Sequence, residues 1–506
     1  MTATDDSRDR LGPLEEATGA AMQELVDRDA VARVWARDHT LWREDPTEIS
    51  DRLGWLDLVP AMTARLDELR ATCDRLADGV DHVLLAGMGG SSLFPEVVAT
   101  MVQAQGAPTL HVLDTTDPAA IARLGAELPP ERTLHVAASK SGTTLETRCH
   151  LAWAWERHPD PERFAVVTDP GSELAALAAE RRFAASFENP PDIGGRYSAL
   201  SYFGLVPAML AGADVPGLLA SASGVIDALR APPPDNPAAR LAAAMAAGVR
   251  AGRDKLTLVV PDELATFGLW LEQLLAESTG KDGTGIVPVV GEPVGDPDVY
   301  GDDRLFVALG DSELSAQPVV HLPGGTGLAG LGEQVLRWEM ATALAGALLG
   351  IHPFDQPDVE GAKVATRRVL AEGRAGVALT PLEDLVAQVE PGDYLAIQAF
   401  VDPESPAVAG IEAARVALRD RLGVATTVGL GPRFLHSTGQ LHKGGPDRGV
   451  FVQVVGDDPG DVPIPGESYG FSTLKHAQAD GDLLTLHDRG RRVGRVGLRE
   501  LSEVAT

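Results

Sequence analysis

Four short apolar runs in the first third of the chain, HVLLAG (82–87), LHVLD (110–114), LHVAAS (134–139) and FAVVTD (164–169), each end in small or polar residues. Helical stretches of about 20 residues separate them, and this alternation of strand and helix constrains the fold more than any other feature. Strands joined through helices must run parallel, and the helices then cover both faces of the sheet. The pattern resumes with KLTLVVPD (255–262), RLFVALGD (304–311), PVVHLPG (318–324), YLAIQAFVD (394–402) and VFVQVVGD (450–457). The expected class is therefore α/β, with doubly wound parallel sheets in two domains.

Residues 12–80 come before the first strand and carry Leu, Val and Trp at three- and four-residue spacing, which predicts amphipathic helices. The Pro-rich segment APPPDNPA (231–238) predicts an inter-domain linker or a turn between long helices. The expected division is a helical arm over 1–60, α/β domains over 61–235 and 240–460, and a less regular tail over 461–506. A chain of 506 residues exceeds what one core supports, which agrees with two domains.

Charge narrows the partners. A net charge of −30 opposes encounter with nucleic acid or an anionic membrane. An anionic substrate would have to be held by local N–H groups and a few cations; adaptation to salt is a second source of such acidity. Cys73 and Cys149 are too few for a disulfide framework or a metal ladder. The polar start MTATDDSRDR lacks the features of a secretion signal, and the apolar run 341–351 is far short of a bilayer span. A cytoplasmic protein is expected.

Five motifs carry chemistry. GMGGSS (87–92) follows a strand, where glycines allow close backbone approach; Gly90 and Ser91 sit at its turn, and Ser92 breaks the dinucleotide-binding spacing. SKSGTTLET (139–147) sets Ser139, Lys140, Ser141, Thr143, Thr144 and Thr147 on a loop entering a helix, more hydroxyls than capping needs, and so forms a phosphate cup. IGGRYSALS (193–201) supplies Arg196, whose planar fork suits a developing oxyanion. LEQLLAESTGK (271–281) sets Gln273 and Glu277 on one helix face, where a carboxylate in apolar surroundings gains basicity. HPFDQPDVEGAK (352–363) is a turn and helix start bearing Gln356 and Lys363.

FLHSTGQLHKGG (434–445) adds His436, Gln440, His442 and Lys443. Its two histidines are six residues apart, a spacing that brings them together on neither a helix nor a strand, so no metal is expected. Only six of the 43 basic residues are lysines, namely Lys140, Lys255, Lys281, Lys363, Lys443 and Lys475, and four of these fall in the motifs above. Lysine kept on an arginine background points to a need for a compact ammonium.

Taken in order, GMGGSS, SKSGTTLET, IGGRYSALS, ESTGK and PFDQPDVEGAK resemble the motif set of phosphoglucose isomerases, along roughly residues 80–365. The resemblance is closest to the isomerase half of bacterial transaldolase–phosphoglucose isomerase fusions. The chain begins where that half begins, so no transaldolase activity is expected. The resemblance implies two sugar-isomerase (SIS-type) domains and interconversion of glucose 6-phosphate and fructose 6-phosphate with no cofactor. It implies that Ser91, Ser139, Lys140, Ser141 and Thr144 line a phosphate pocket and that Glu277 is the base. Arg196 is similar to the arginine that stabilises the enediolate, and Lys363 to the lysine that assists ring opening. Gln273 and Gln356 are similar to substrate contacts, and Glu146 to the carboxylate behind the ring-opening histidine.

That histidine departs from the family order. Only His321 and His352 lie between Glu277 and Gln356, while LHSTGQ (435–440) is similar to the histidine motif of many bacterial members. His436 is therefore the expected ring opener. In dimeric relatives this histidine comes from the neighbouring subunit; a moved element could bring it from the same chain, which leaves a homodimer open. Dual action on mannose 6-phosphate and a non-catalytic sugar-phosphate regulator are the competing readings. A regulator has no use for Glu277, Arg196 and Lys363 together. An enzyme acting on amino sugars would need amide-processing partners.

Overall fold

The computed structural model describes residues 9–102, 105–310, 314, 318–325, 327–373 and 377–504. Most of the polar N-terminus (residues 1–8), Asp311 of the expected 304–311 strand, and residues 505 and 506 of the expected tail lie outside these.

The first sheet contains β1 (His82–Gly87), β2 (Thr109–Leu113), β3 (Thr133–Ala138), β4 (Phe164–Thr168) and β5 (Ala185–Glu188), all parallel in the order β2-β1-β3-β4-β5. The order reverses between β1 and β3. Loops leaving these two strands therefore open a crevice at the carboxyl edge of the sheet. β3 and β4 are buried at every position, because helices cover both faces; both read as largely apolar, with His135 a buried polar exception within β3.

The nine expected strands all form. The expected second domain differs in one respect, because its strands build two sheets. β6 (Lys255–Val259), β7 (Val287–Val289), β8 (Arg304–Leu309) and β9 (Val319–Leu322) take the order β7-β6-β8-β9. β10 (Tyr394–Phe400), β11 (Ala425–Leu430), β12 (Gly449–Val455) and β13 (Arg492–Arg495) take the order β11-β10-β12-β13. The helix Leu328–Leu349, buried along most of its length, separates the two sets of strands in the chain.

The span 461–506, expected as a less regular tail, holds the helix Phe471–Asp488, the strand β13 and the helix Leu498–Glu503. The long helix hid its pattern because both faces are buried and several buried positions are polar: Lys475, Gln478, Asp480 and Asp482. No apolar stripe marks such a helix.

Helices form over 12–80 as expected: Leu66–Ala77 beyond residue 60, Leu58–Thr63 across it, and Glu15–Asp27 and Ala30–Trp35 within the N-terminal arm. Its first described residues also cover a sheet edge: Arg10 and Val319 of β9 exchange backbone hydrogen bonds of 3.0 and 2.9 Å. The Pro-rich segment is the turn between the helices Val215–Arg230 and Pro237–Arg250. Buried Asn236 closes it by donating to the Leu229 and Ala231 carbonyls and accepting from the Ala238 and Ala239 N–H groups. A small residue lets the helix Leu328–Leu349 pack closely on Val215–Arg230; a Cβ at Gly332 would strike the Leu218 carbonyl. Cys73 and Cys149 are buried free thiols, and burial pushes both up to about 12. They pack rather than react.

Among the described residues no helix is long and apolar enough to cross a membrane, and no group of three or more His, Cys, Asp or Glu is arranged to hold a metal.

Candidate active site

The carboxyl edges of the first and third sheets meet. Arg433, which follows β11, donates to Asp114, which follows β2, at 2.7 Å. Lys475 pairs with Asp117 at 2.9 Å, and both are buried. A cavity of about 700 Å³ is lined from both parts of the chain, by Ser141, Thr144 and Glu146 after β3 and by Lys363, His436 and Tyr469 from later in the sequence.

The chain leaves β3 through Ser139–Thr144 and enters the helix Leu145–Arg157. Buried Ser139 shapes this loop: its Oγ accepts from the Gly142 N–H at 3.1 Å and meets Thr144 Oγ1 at 2.9 Å. Gly142 has a φ of +72°, and a Cβ there would come within 2.7 Å of the Leu174 nitrogen, so only glycine fits. Thr144 spends no side-chain hydrogen bond on capping the helix. Ser141, Thr143 and Thr144 line the cavity at the positive end of that helix, as an anion requires.

Lys140 is placed differently. It pairs with Asp169, donates to the Pro191 carbonyl at 2.8 Å, and is not part of the cavity wall. The wall's cations are Arg148, Lys363 and Arg367. Against the acidic balance of the whole chain, the wall carries these three basic side chains beside two carboxylates, Glu146 and Glu360, and Arg367 pairs with Glu360 at 2.7 Å. Lys363 is 53% exposed and stands 3.8 Å from Glu360.

The glycines after β1 serve contact. Gly89 to Ser92 are all buried. A Cβ at Gly89 would lie 2.7 Å from Gln273 Nε2 and 2.8 Å from the His436 carbonyl oxygen, and one at Gly90 would strike the Gly195 carbonyl. The turn with Gly90 and Ser91 is thus the point where the Gln273, His436 and Arg196 elements converge.

Arg196, in the turn Gly195–Tyr197, is buried, and its whole fork is engaged. Nε donates to Ser278 Oγ (2.9 Å), Nη1 to Gln356 Oε1 (3.0 Å), and Nη2 to the Pro353 and Asp355 carbonyls (2.9 and 2.8 Å). The same Nη1 lies 3.3 Å from Glu277 Oε2. One guanidinium therefore joins the helix Phe267–Thr279, which carries Glu277, to the turn that carries Gln356. Lys281 grips the same turn through Asp355 Oδ1 at 2.6 Å and the His352 and Asp355 carbonyls. Burial, with Arg196 nearby, takes the Lys281 ammonium down to about 7 although Asp355 opposes this. Sequence reasoning saw Lys281 only as part of a motif and gave it no role.

Gln273 links the expected base to the expected histidine. Its Nε2 donates to Glu277 Oε2 at 3.1 Å and to the His436 carbonyl at 2.9 Å. His436 in turn meets Glu146 through Nε2, 3.0 Å from Oε1. Burial alone would push the Glu146 carboxyl up, but the charge and hydrogen bond of His436 override it and hold it at about 2. An ionised partner on Nε2 fixes the imidazole's tautomer and leaves Nδ1 to exchange protons. Gln478, which sequence reasoning missed, donates to the same Glu146 oxygen at 2.7 Å.

The other histidines lie elsewhere. His352 sits against the Thr47 carbonyl at 3.1 Å, His321 is on β9, and His442 is buried among Tyr394, Phe434 and Phe451. Glu277, Arg196, Gln273 and Gln356 are not part of this cavity's wall, and the Glu277 side chain is 13% exposed.

Comparison with known proteins gives the same picture. A family model described as phosphoglucose isomerase matches residues 46–291, a span that includes Arg196, Gln273 and Glu277 but not Gln356, Lys363 or His436. A glucose-6-phosphate isomerase of Rubrobacter xylanophilus is 30% identical over 388 residues, 63% of this chain and 89% of the relative. One of Thermus thermophilus is 30% identical over 390 residues, 64% of this chain and 91% of that protein. A solved structure of a hypothetical protein, also from Thermus thermophilus, has a TM-score of 0.61 at 27% identity, covering 71% of this chain and 98% of that one. A glucose-6-phosphate isomerase from Chlamydia trachomatis shares the fold, with a TM-score of 0.59 at 19% identity over 71% of this chain and 87% of its own. Motif order, fold and relatives converge, and the chain belongs to the phosphoglucose isomerase family.

Proposed function

We propose that this chain interconverts glucose 6-phosphate and fructose 6-phosphate through a cis-enediolate, with Glu277 as the base. Glu277 carries the proposal: its carboxylate lies 3.3 Å from a buried guanidinium and is tied through one glutamine amide to the histidine beside the phosphate loop. The phosphate binds the Ser141–Thr144 loop with Lys363 facing it, and so fixes the sugar's orientation. His436, assisted by Lys363, delivers a proton from Nδ1 to the ring oxygen as its bond to C1 breaks, and water takes the C1 hydroxyl proton as the carbonyl forms. Glu277 takes the C2 proton and returns it to C1, and Arg196 offsets the oxyanion charge between those steps. Only protons move and no electrons leave the sugar, so the reaction requires no redox cofactor.

All the groups named belong to one chain. Each copy then holds a complete site, in the cytoplasm and without a histidine from a second subunit. The test is conversion of glucose 6-phosphate by the purified protein, with specific activity followed on dilution below any dimer dissociation constant. Steady specific activity supports a self-contained site, and loss on dilution argues for a shared one. Conversion of mannose 6-phosphate in a parallel assay would widen the substrate range. Binding of sugar phosphate without conversion would replace the enzyme with a regulator.

A further inference from the structure

Gln478 sits in the middle of the helix Phe471–Asp488 and is buried. A buried amide costs stability unless both its ends are paired, and here both are. Its Oε1 accepts from Thr116 Oγ1 at 2.7 Å, and its Nε2 donates to Glu146 Oε1 at 2.7 Å. The reversed amide would turn its oxygen onto a carboxylate oxygen, so the charge of Glu146 fixes the orientation. The helix register is set independently. One turn earlier, buried Lys475 pairs with Asp117 and Asp458, which docks the helix on the segment following β2, where Thr116 lies.

Two donors thus converge on one oxygen of Glu146, the amide of Gln478 and the Nε2 of His436. Gln478 lies in the cavity wall, yet each end of its amide already holds a protein partner. We infer that Gln478 is a positioning residue of the ring-opening step: held by Thr116, it keeps Glu146 aimed at His436, so that the imidazole presents its free nitrogen to the ring oxygen. This rests on the isomerase reading and assigns a role to the last long helix of the chain. Without the amide, the Glu146 carboxylate loses the contact that ties it to Thr116 and is free to turn away from His436. The imidazole then loses the partner that orients it.

The experiment compares wild type with Gln478→Met, which keeps side-chain length and removes both hydrogen-bonding ends. Two substrates are used: cyclic glucose 6-phosphate, and a four-carbon aldose 4-phosphate that cannot close a ring. For the cyclic sugar, kcat should fall by about 10-fold or more with KM within about 2-fold. For the open-chain sugar, turnover should stay within about 2-fold. Thr116→Val should show the same selective loss and Thr116→Ser should restore activity, a pair that carries the test if Gln478→Met does not fold. Equal losses on both substrates, or none on either, would overturn the positioning role while leaving the isomerase intact. A wild-type protein without isomerase activity would overturn both.

Discussion

Glu146 and His436 are 290 residues apart in the chain and joined by a 3.0 Å hydrogen bond. The carboxylate comes from the helix after β3 of the first sheet, and the histidine from the turn after β11 of the third. The third sheet thus brings to the first, within one chain, the imidazole proposed as the ring opener.

His436→Gln should therefore slow turnover of cyclic glucose 6-phosphate by about 100-fold, the range of a lost general acid, and spare an aldose phosphate that cannot cyclise. His321→Gln and His352→Gln should stay within about 3-fold of wild type on both substrates. Steady-state kinetics on the two sugars decide, and a selective loss in either control would move the ring opener away from His436.

Arg196→Lys should lower kcat by about 100-fold or more, since a single ammonium cannot reproduce a fork bonded to Ser278, Gln356 and two carbonyls while facing Glu277. KM should rise as well, because the turn bearing Gln356 loses an anchor. Activity within about 2-fold of wild type would show that only charge matters there.

Lys363 and Lys140 make a contrasting pair. Lys363 lines the cavity, whereas Lys140 is engaged by Asp169 and the Pro191 carbonyl. Lys363→Met should cost about 10-fold or more in kcat/KM, the worth of one charge-assisted hydrogen bond. Lys140→Met should cost less than about 3-fold. The reverse ranking would show that the loop turns Lys140 inward when substrate binds.

Much of the site was legible in the sequence, and the failures have causes. The four strands missed, β5, β7, β11 and β13, are all edge strands, short or half exposed, so no unbroken apolar run marks them. The helix bearing Gln478 was missed because its buried positions are polar. The scarcity of lysine was informative in a wider sense than the motifs suggested. Lys255, Lys281, Lys443 and Lys475 are all buried in ion pairs, so lysine marks places where a compact cation fits the interior, whether or not chemistry follows. Pairings such as Gln478 with Glu146 join parts of the chain that no local pattern connects.

Glu272 gives a pH-dependent stability. It lies beside Gln273, is buried, and accepts from Ser437 Oγ at 3.0 Å. Burial raises its carboxyl from 4.5 to about 7, although Ser437, Arg415 and Arg433 pull it down. Between those values the folded state keeps a proton that the unfolded chain has released, so stability falls as pH rises through that window. The full cost, on the order of 3 kcal/mol, is present above pH 7. Glu272→Gln should match wild type in thermal melting near pH 5 and exceed it by a few degrees, roughly, at pH 8. Parallel curves at both pH values would contradict this.

The proton transfer itself offers the most direct test. In deuterated buffer the wild-type protein should exchange the C2 hydrogen of glucose 6-phosphate for deuterium as it forms fructose 6-phosphate, both read by NMR. Glu277→Gln should retain sugar-phosphate binding and its melting temperature while exchange and isomerisation fall together by about 1,000-fold. Exchange at the wild-type rate in that variant would show that another group takes the proton.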